Sequence, residues 1–409
     1  MTDLLFRNFA LLDVAAGELR SGHEVLVREG MIARVEHGRI DDTGAQVIDL
    51  GGRTLMPGLV DCHVHLYRTL LPSSPVYLPS LITAIASRTL RGMLMSGFTT
   101  VRDAGGADAG YRMAVEQGLF IGPRTFVAGR AISQTGGHGD QRSPADTRDP
   151  CACTHLTIGI GRIADGVPEV RRAVRDEIRL GADQIKIMAG GGVSSQSDPI
   201  DALQYSMEEL QAAVDEADRA NTYVMAHVYT ARGIRRCVEA GVRTIEHGNF
   251  LDEPTAKMMV ERGVYLSPNL VCYRILADQA TALGYPPGTE EKAREILAVG
   301  TRGLAIAHRA GVKASFGTDL SRAPDRMCDE FLIRAEVLPA ADNIRGATLI
   351  GAEIVRMEGK IGVIAPGAHA DLLAVDGDPL ADIGLLAEQG RHMAMIMKGG
   401  AFAKNTMGG

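Results

Sequence analysis

A chain of 409 residues, 45% apolar and 23% charged, has a globular composition and exceeds the usual size of one domain, so one large barrel-type domain plus a smaller one is expected. A formal net charge of −7 without any basic run gives no sign of a nucleic-acid partner, and no apolar run of about 18 residues points to a membrane span. The opening MTDLLFRNFALLDV has no basic stretch followed by a long apolar one, so no secretory signal is expected; the six scattered cysteines then read as reduced thiols, and the location as cytoplasmic.

Residues 1–56 read as short strands broken by turns: LLFRNFALLDV, HEVLVREGMIARVE, AQVIDLGG. The stretch 360–409, with ADLLAVDGDP and MAMIMKGG, has the same character. The two ends are therefore expected to pair into one small, discontinuous β-sandwich domain, with Gly/Pro junctions at LMPGLVD and GVIAPGAHAD marking its edges. Over 57–359, strand-like runs alternate with helical ones. The strand candidates are GLVDCHVHL, FTTVRDAG, RTFVAG, DQIKIMAG, YVMAHVY, RTIEHG, GVYLSPN and VKASFGTD, eight in all. Between them lie SLITAIASRTLRGMLMSG, PEVRRAVRDEIRLG, SMEELQAAVDEADRAN and TARGIRRCVEAG; in the third, Ser206 and Glu209 have capping-box spacing. Eight strands, each followed by a helix, is the count of an α/β fold, the (β/α)8 TIM barrel, whose sites sit at the C-terminal ends of the strands.

Polar residues at those ends are the informative ones. His63 and His65, one residue apart on a strand, project to the same face. They are either hydrogen-bonded core histidines or metal ligands. Lys186 stands between Ile185 and Ile187, so the isoleucines should face the helices and the lysine the lumen. Burial lowers the pKa of such an amine and favours its neutral form, which can form a Schiff base with a carbonyl or take up carbon dioxide as a carbamate. His227, His247 and Asp319 end the fifth, sixth and eighth strands. Four histidines and an aspartate suit two divalent cations better than an aldolase. Asp319 also has a plainer reading, since GTDLS can begin a turn. CACTH (Cys151, Cys153, His155) matches no standard structural zinc spacing and reads as a loop thiol pair.

At this point the chain resembles the amidohydrolase superfamily along essentially its whole length, through PGLVDCHVHL, IKIMAGGG, AHVYT, TIEHG, FGTDL and GVIAPGAHADLLAVDGDP. It is similar to the binuclear subtype with a carboxylated lysine, and within that to prolidase-like and dipeptidase-like enzymes, a group that includes ochratoxin-hydrolysing relatives. The resemblance implies that His63, His65 and Asp319 hold a buried metal ion and that His227 and His247 hold an outer one. Lys186, N6-carboxylated by CO2, would bridge the two, with zinc as the expected metal. It further implies cleavage of the amide bond of dipeptides or N-acyl amino acids by a metal-bridging hydroxide. Asp319 would take the proton of the attacking water and deliver it to the leaving nitrogen.

The SQTGGHGD loop contributes His138, and AHVYT contributes Tyr229, two residues after His227. In the dipeptidase-like relatives the matching pair helps bind the substrate, particularly its terminal carboxylate, so both are expected at the site. Arg142 is a third candidate for the carboxylate, or else a surface arginine. The long segment 130–165 reads as a lid or pocket wall, and Asn269, Tyr273 and Tyr285 belong to a second wall. A small-molecule substrate and a homo-oligomer are the expected partners. The competing readings are a cyclic-amide hydrolase, a ring deaminase, which often lacks the bridging lysine, and a non-catalytic relative that has lost ligands.

Overall fold

Strands from the two ends of the chain lie side by side in the computed structural model, which describes residues 2–41, 44–66, 78–140, 142, 145, 161–193, 198–285, 288–320 and 324–407. A six-stranded sheet runs in the order Ala401–Asn405, Met393–Lys398, Leu372–Val375, Thr54–Pro57, Ala10–Asp13, Glu18–Arg20. Its seam is the antiparallel pairing of Leu373 with Met56, where the end of the sequence meets the beginning. A four-stranded sheet, in the order Met31–His37, His23–Arg28, Leu4–Arg7, Gln46–Asp49, packs against it. The side-chain period of two explains the packing. Val25 and Val27 from one sheet meet Leu372, Ala374, Met395 and Met397 from the other. Their sequence neighbours Leu373 and Ile396 turn the opposite way, into the main core. Both faces of MAMIMK are buried, which is why that strand carries no polar alternation.

The middle of the chain is an α/β structure built on parallel strands. Leu59–Val64, Phe98–Asp103 and Arg124–Phe126 form one parallel sheet. A second contains Ile185–Met188, Val224–Thr230, Thr244–Phe250 and Tyr265–Ser267 in that order, all parallel. Links join the two sheets on both sides. Asp183 donates its amide to the Val127 carbonyl, while Ala314 bridges to Leu266 and Cys62 donates to the Phe316 carbonyl. The run VKASFGTD, expected as a strand, pairs only at such isolated points. Its carbonyls at Ala314 and Ser315 accept from the buried Arg334 guanidinium, and the Phe316 amide goes to Gly346. The rest of its backbone still bonds to the flanking strands, Ser315 donating to the Leu266 carbonyl and Asp319 to the His63 carbonyl.

The segment 130–165, expected as a lid, contributes two short strands, Ala131–Ser133 and Gly161–Ile163, paired in parallel at the edge of the second sheet. Half of the segment, including Cys151, Cys153 and His155, lies outside the described residues. Cys62, Cys237, Cys272 and Cys328 are buried. Among the described residues no helix is long and apolar enough to cross a membrane.

Helix Met207–Arg219 begins with the expected capping box: Glu209 donates its amide to Ser206 Oγ, and the Glu209 carboxylate accepts the Ser206 amide. On its flank Glu216 accepts a two-pronged contact from Arg175, at 2.6 and 2.7 Å, and a third bond from Arg171 at 2.6 Å. Only 5% of the Glu216 side chain is exposed. The Arg175 hydrogen bonds outweigh the effect of burial and hold its carboxyl down at about 2. A carboxyl depressed on folding stabilises the fold above its unfolded pKa, and that stability is lost as pH falls towards the folded value. Glu216→Gln should therefore cost about 1 kcal/mol near pH 7. In urea titrations the gap between wild type and variant should hold constant above pH 5 and shrink below about 4.5. A gap independent of pH down to 3 would contradict the assignment.

Candidate active site

The first strand delivers His63 and His65 as its alternation requires, their ring centroids 5.3 Å apart and both rings buried. Each has its Nδ1 engaged. His63 Nδ1 donates to Glu246 Oε2 at 2.6 Å, and His65 Nδ1 donates to the Gly105 carbonyl at 2.8 Å. A neutral ring has one N–H, so both Nε2 atoms carry lone pairs. Those lone pairs converge on Asp319 Oδ1, at 3.6 Å from His63 and 3.1 Å from His65. Three acceptors facing one another in a buried place repel unless a proton or cation sits among them. His63, His65 and Asp319 thus form a cluster able to hold a metal ion, and the donor set fits a divalent cation of the zinc type. Burial, with the Lys186 charge next in effect, holds His63 down at about 4, which keeps its ring neutral.

Lys186 sits where the isoleucine pattern put it. It is 1% exposed, while Ile185 and Ile187 join the helix-facing apolar cluster. Burial lowers its amine to about 8, and its charge acts on His63, His227 and His247. His227 is the opposite tautomer to the first pair: Nε2 donates to the Gly191 carbonyl at 3.1 Å, leaving Nδ1 as its lone-pair atom. His247 stands beside it, with centroids 4.5 Å apart, and is 5.3 Å from His63. Burial holds both rings well below the ordinary histidine value.

His247 has φ 74°, in the left-handed region that β-strand residues avoid. This turn breaks the strand alternation, so Glu246 and His247, adjacent in sequence, both reach the interior. Sequence reading missed Glu246 for that reason. Behind it the fully buried Arg102 donates to Glu246 Oε1 at 2.8 Å and to the Cys62 carbonyl at 2.6 Å. Burial opposes the charge on Glu246, and the Arg102 guanidinium outweighs it, so the carboxylate that orients His63 stays ionised. Asp61 was also missed. Its carboxylate accepts the amides of His63 and Thr318 and the Thr318 hydroxyl, lacing the first strand to the segment carrying Asp319. Asp103 does the same for the turn after the second strand. It accepts the amides of Leu66, Gly105 and Ala107, and so fixes the carbonyl that His65 uses. The visible signal for these three was only a charged residue inside an apolar strand run.

Gly317 makes the approach of FGTDL possible. A Cβ there would lie 2.2 Å from Asn269 Oδ1, 2.4 Å from Ser267 Oγ and 3.1 Å from His63 Cβ.

The expected substrate residues are distributed unequally. Tyr229 lies on the face of His227, as the spacing of two predicted, and stacks on His247 at 5.1 Å and 16°. Its hydroxyl is 2.7 Å from that of Tyr273, which in turn is 2.7 Å from His247 Nδ1. His138 stacks on His227 at 4.3 Å and 14°, and a Cβ on Gly192 would fall 1.9 Å from its ring. Its Nδ1 is 3.7 Å from the buried Asp198, which Gln204 also holds. Arg142 forks onto Asp140, at 2.9 and 2.7 Å, and its described contacts do not reach the histidine group. Asn269 packs beside His63, whereas the Tyr285 amide closes a turn onto Ala280.

Comparison with known proteins agrees with this geometry. A sequence model of the amidohydrolase family matches residues 54–401. The ochratoxinase of Aspergillus niger is 33% identical over 369 residues, covering 86% of this chain and 75% of that protein. The crystal structure of a prolidase complexed with N-methylphosphonate-L-proline superposes with a TM-score of 0.95 at 46% identity, over 99% of this chain and 100% of the other. A Xaa-Pro dipeptidase with bound methionine in its active site gives 0.89 at 30% identity, over 98% and 99%. The family model spanning residues 54–401 and a relative 33% identical over 86% of the chain make this protein a member of the amidohydrolase family.

Proposed function

We propose that this amide-bond hydrolase cleaves dipeptides of the Xaa-Pro type or N-acyl amino acids, including N-acyl phenylalanines of the ochratoxin type, and recognises the free carboxylate of the substrate. The observation that carries the reading is the convergence of the His63 and His65 lone pairs on Asp319, with His227, His247 and Lys186 adjoining and two further polar rings stacked on the outer histidines. In this reading residues 57–359 form a (β/α)8 barrel, and residues 1–56 and 360–409 form a β-sandwich; the links between the parallel sheets and the shared terminal sheet support that division.

His63, His65 and Asp319 would hold one divalent cation, His227 and His247 a second, and carboxylated Lys186 would bridge them. Bound there, such ions lower the pKa of water and polarise a carbonyl. The chain's own contribution is positional and protolytic. Asp319 is the most exposed of the ligand group, its side chain 18% accessible against 1% for His63 and 6% for His65, so it is the one that can meet water and substrate. Its carboxylate takes a proton from the attacking water and hands it to the amide nitrogen as the C–N bond breaks, giving a carboxylic acid and an amine. Tyr229 and His138, lying against the outer histidines, are the groups for the substrate carboxylate, with Arg142 in the same loop as His138.

Substrates carrying a C-terminal amide should then be hydrolysed roughly 10²- to 10⁴-fold less efficiently than the free acids, because groups placed for an anion are left poorly paired. Tyr229→Phe should narrow that gap by lowering kcat/KM on acids while changing it little on amides. Metal content should be unchanged. The same contrast is readable in binding, with N-methylphosphonate-L-proline against its carboxamide. Equal kcat/KM on acid and amide would refute carboxylate recognition and favour a cyclic-amide substrate.

A further inference from the structure

The buried pair Tyr229 and Tyr273 raises a question of direction. Their oxygens and His247 Nδ1 form a chain with 2.7 Å at each link. Tyr273 sits on helix Val271–Gln279, whose first amide is anchored by the buried Glu330 at 2.6 Å, so its hydroxyl has little freedom to leave. Two phenols and one neutral imidazole bring one proton each.

Three protons and two links allow three arrangements, and the one in which Tyr273 accepts from both neighbours leaves the proton of its buried hydroxyl without a partner among the described residues. In the inward one, Tyr229 donates to Tyr273, Tyr273 donates to Nδ1, and the histidine proton sits on Nε2. In the outward one, Nδ1–H donates to Tyr273, Tyr273 donates to Tyr229, and the Tyr229 proton is left for a partner outside these three groups. The choice is made at Nε2. A ligand bond from that atom uses its lone pair and leaves the proton on Nδ1, so of the two arrangements that use the Tyr273 proton only the outward one remains.

We infer that Tyr273 is a positioning residue that aims the Tyr229 hydroxyl, so that engagement of His247 Nε2 turns Tyr229 from a donor to Tyr273 into a donor to the substrate carboxylate. This rests on the reading of Tyr229 and His247 given above. It makes cation binding and carboxylate recognition reciprocal, each strengthening the other. The role belongs to the hydroxyl of Tyr273 and not to its ring.

The test measures dissociation constants of the acid and carboxamide phosphonates by calorimetry, for wild type and Tyr273→Phe, each metal-free and zinc-loaded. The phosphonate contact is common to both ligands, so the acid-to-amide affinity ratio isolates the carboxylate. Direct attraction by the cations is common to both proteins. Zinc loading should raise that ratio about tenfold more in wild type than in Tyr273→Phe, the scale of one hydrogen bond to a charged group. An equal rise in the two proteins overturns the inference while leaving carboxylate recognition standing; a loaded wild type that does not distinguish acid from amide overturns both. A measurement on the unaltered chain is independent of any folding defect in the variant. In zinc-loaded protein labelled with 15N-histidine, His247 should carry its proton on Nδ1. A proton on Nε2 overturns the inference.

Discussion

Lys186→Ala is expected to lose both metal ions together, leaving hydrolysis at the background rate. A bridge serves two ions, so its removal should not produce a clean one-metal protein. Lys186→Arg should fail equally, because a guanidinium cannot form the carbamate and is a permanent cation in a site 1% exposed. Short carboxylic acids such as acetate or propionate should restore part of the metal content and activity of the alanine variant by supplying the missing oxygens. Elemental analysis of protein after gel filtration decides the point. Full occupancy in Lys186→Ala would contradict the bridging role.

Asp319→Asn should lower kcat by about 10³ or more, towards the upper range for loss of a general acid–base group. The substitution is conservative for the fold. Asp319 has φ 54°, a region asparagine tolerates, and its amide bond to the His63 carbonyl at 2.7 Å does not involve the side chain. The amide still offers an oxygen to a cation but cannot carry a proton, so metal content should fall far less than turnover. Near-normal kcat in that variant would assign the proton transfer to another residue.

What the sequence made legible were features with a period. His63 and His65, Lys186 between two isoleucines, and Tyr229 two residues beyond His227 all follow strand alternation, and each lies where that alternation directs it. The matching β character of the two ends anticipated their shared sheet. What stayed hidden lacked periodicity. Glu246 and His247 share the interior only because His247 leaves the β region. Arg102 and Asp61 act through bonds to Glu246 and Thr318, residues distant in sequence, and pairing of that kind leaves no mark on local spacing. Strands Ala131–Ser133 and Gly161–Ile163 are too short to show a pattern at all. Tyr273 was visible as an aromatic in a wall segment, but its bond to His247 was not.

The claim on which the rest depends is that His63, His65, Lys186, His227, His247 and Asp319 together hold two ions that hydrolysis requires. Zinc titration of chelator-treated protein, with hydrolysis of a Xaa-Pro dipeptide followed at each addition, tests it directly. Activity should be absent at the start, reach its plateau at about two equivalents per chain, and be unrecoverable in Lys186→Ala without added carboxylate. Full activity in the chelator-treated protein before any zinc is added would contradict the account.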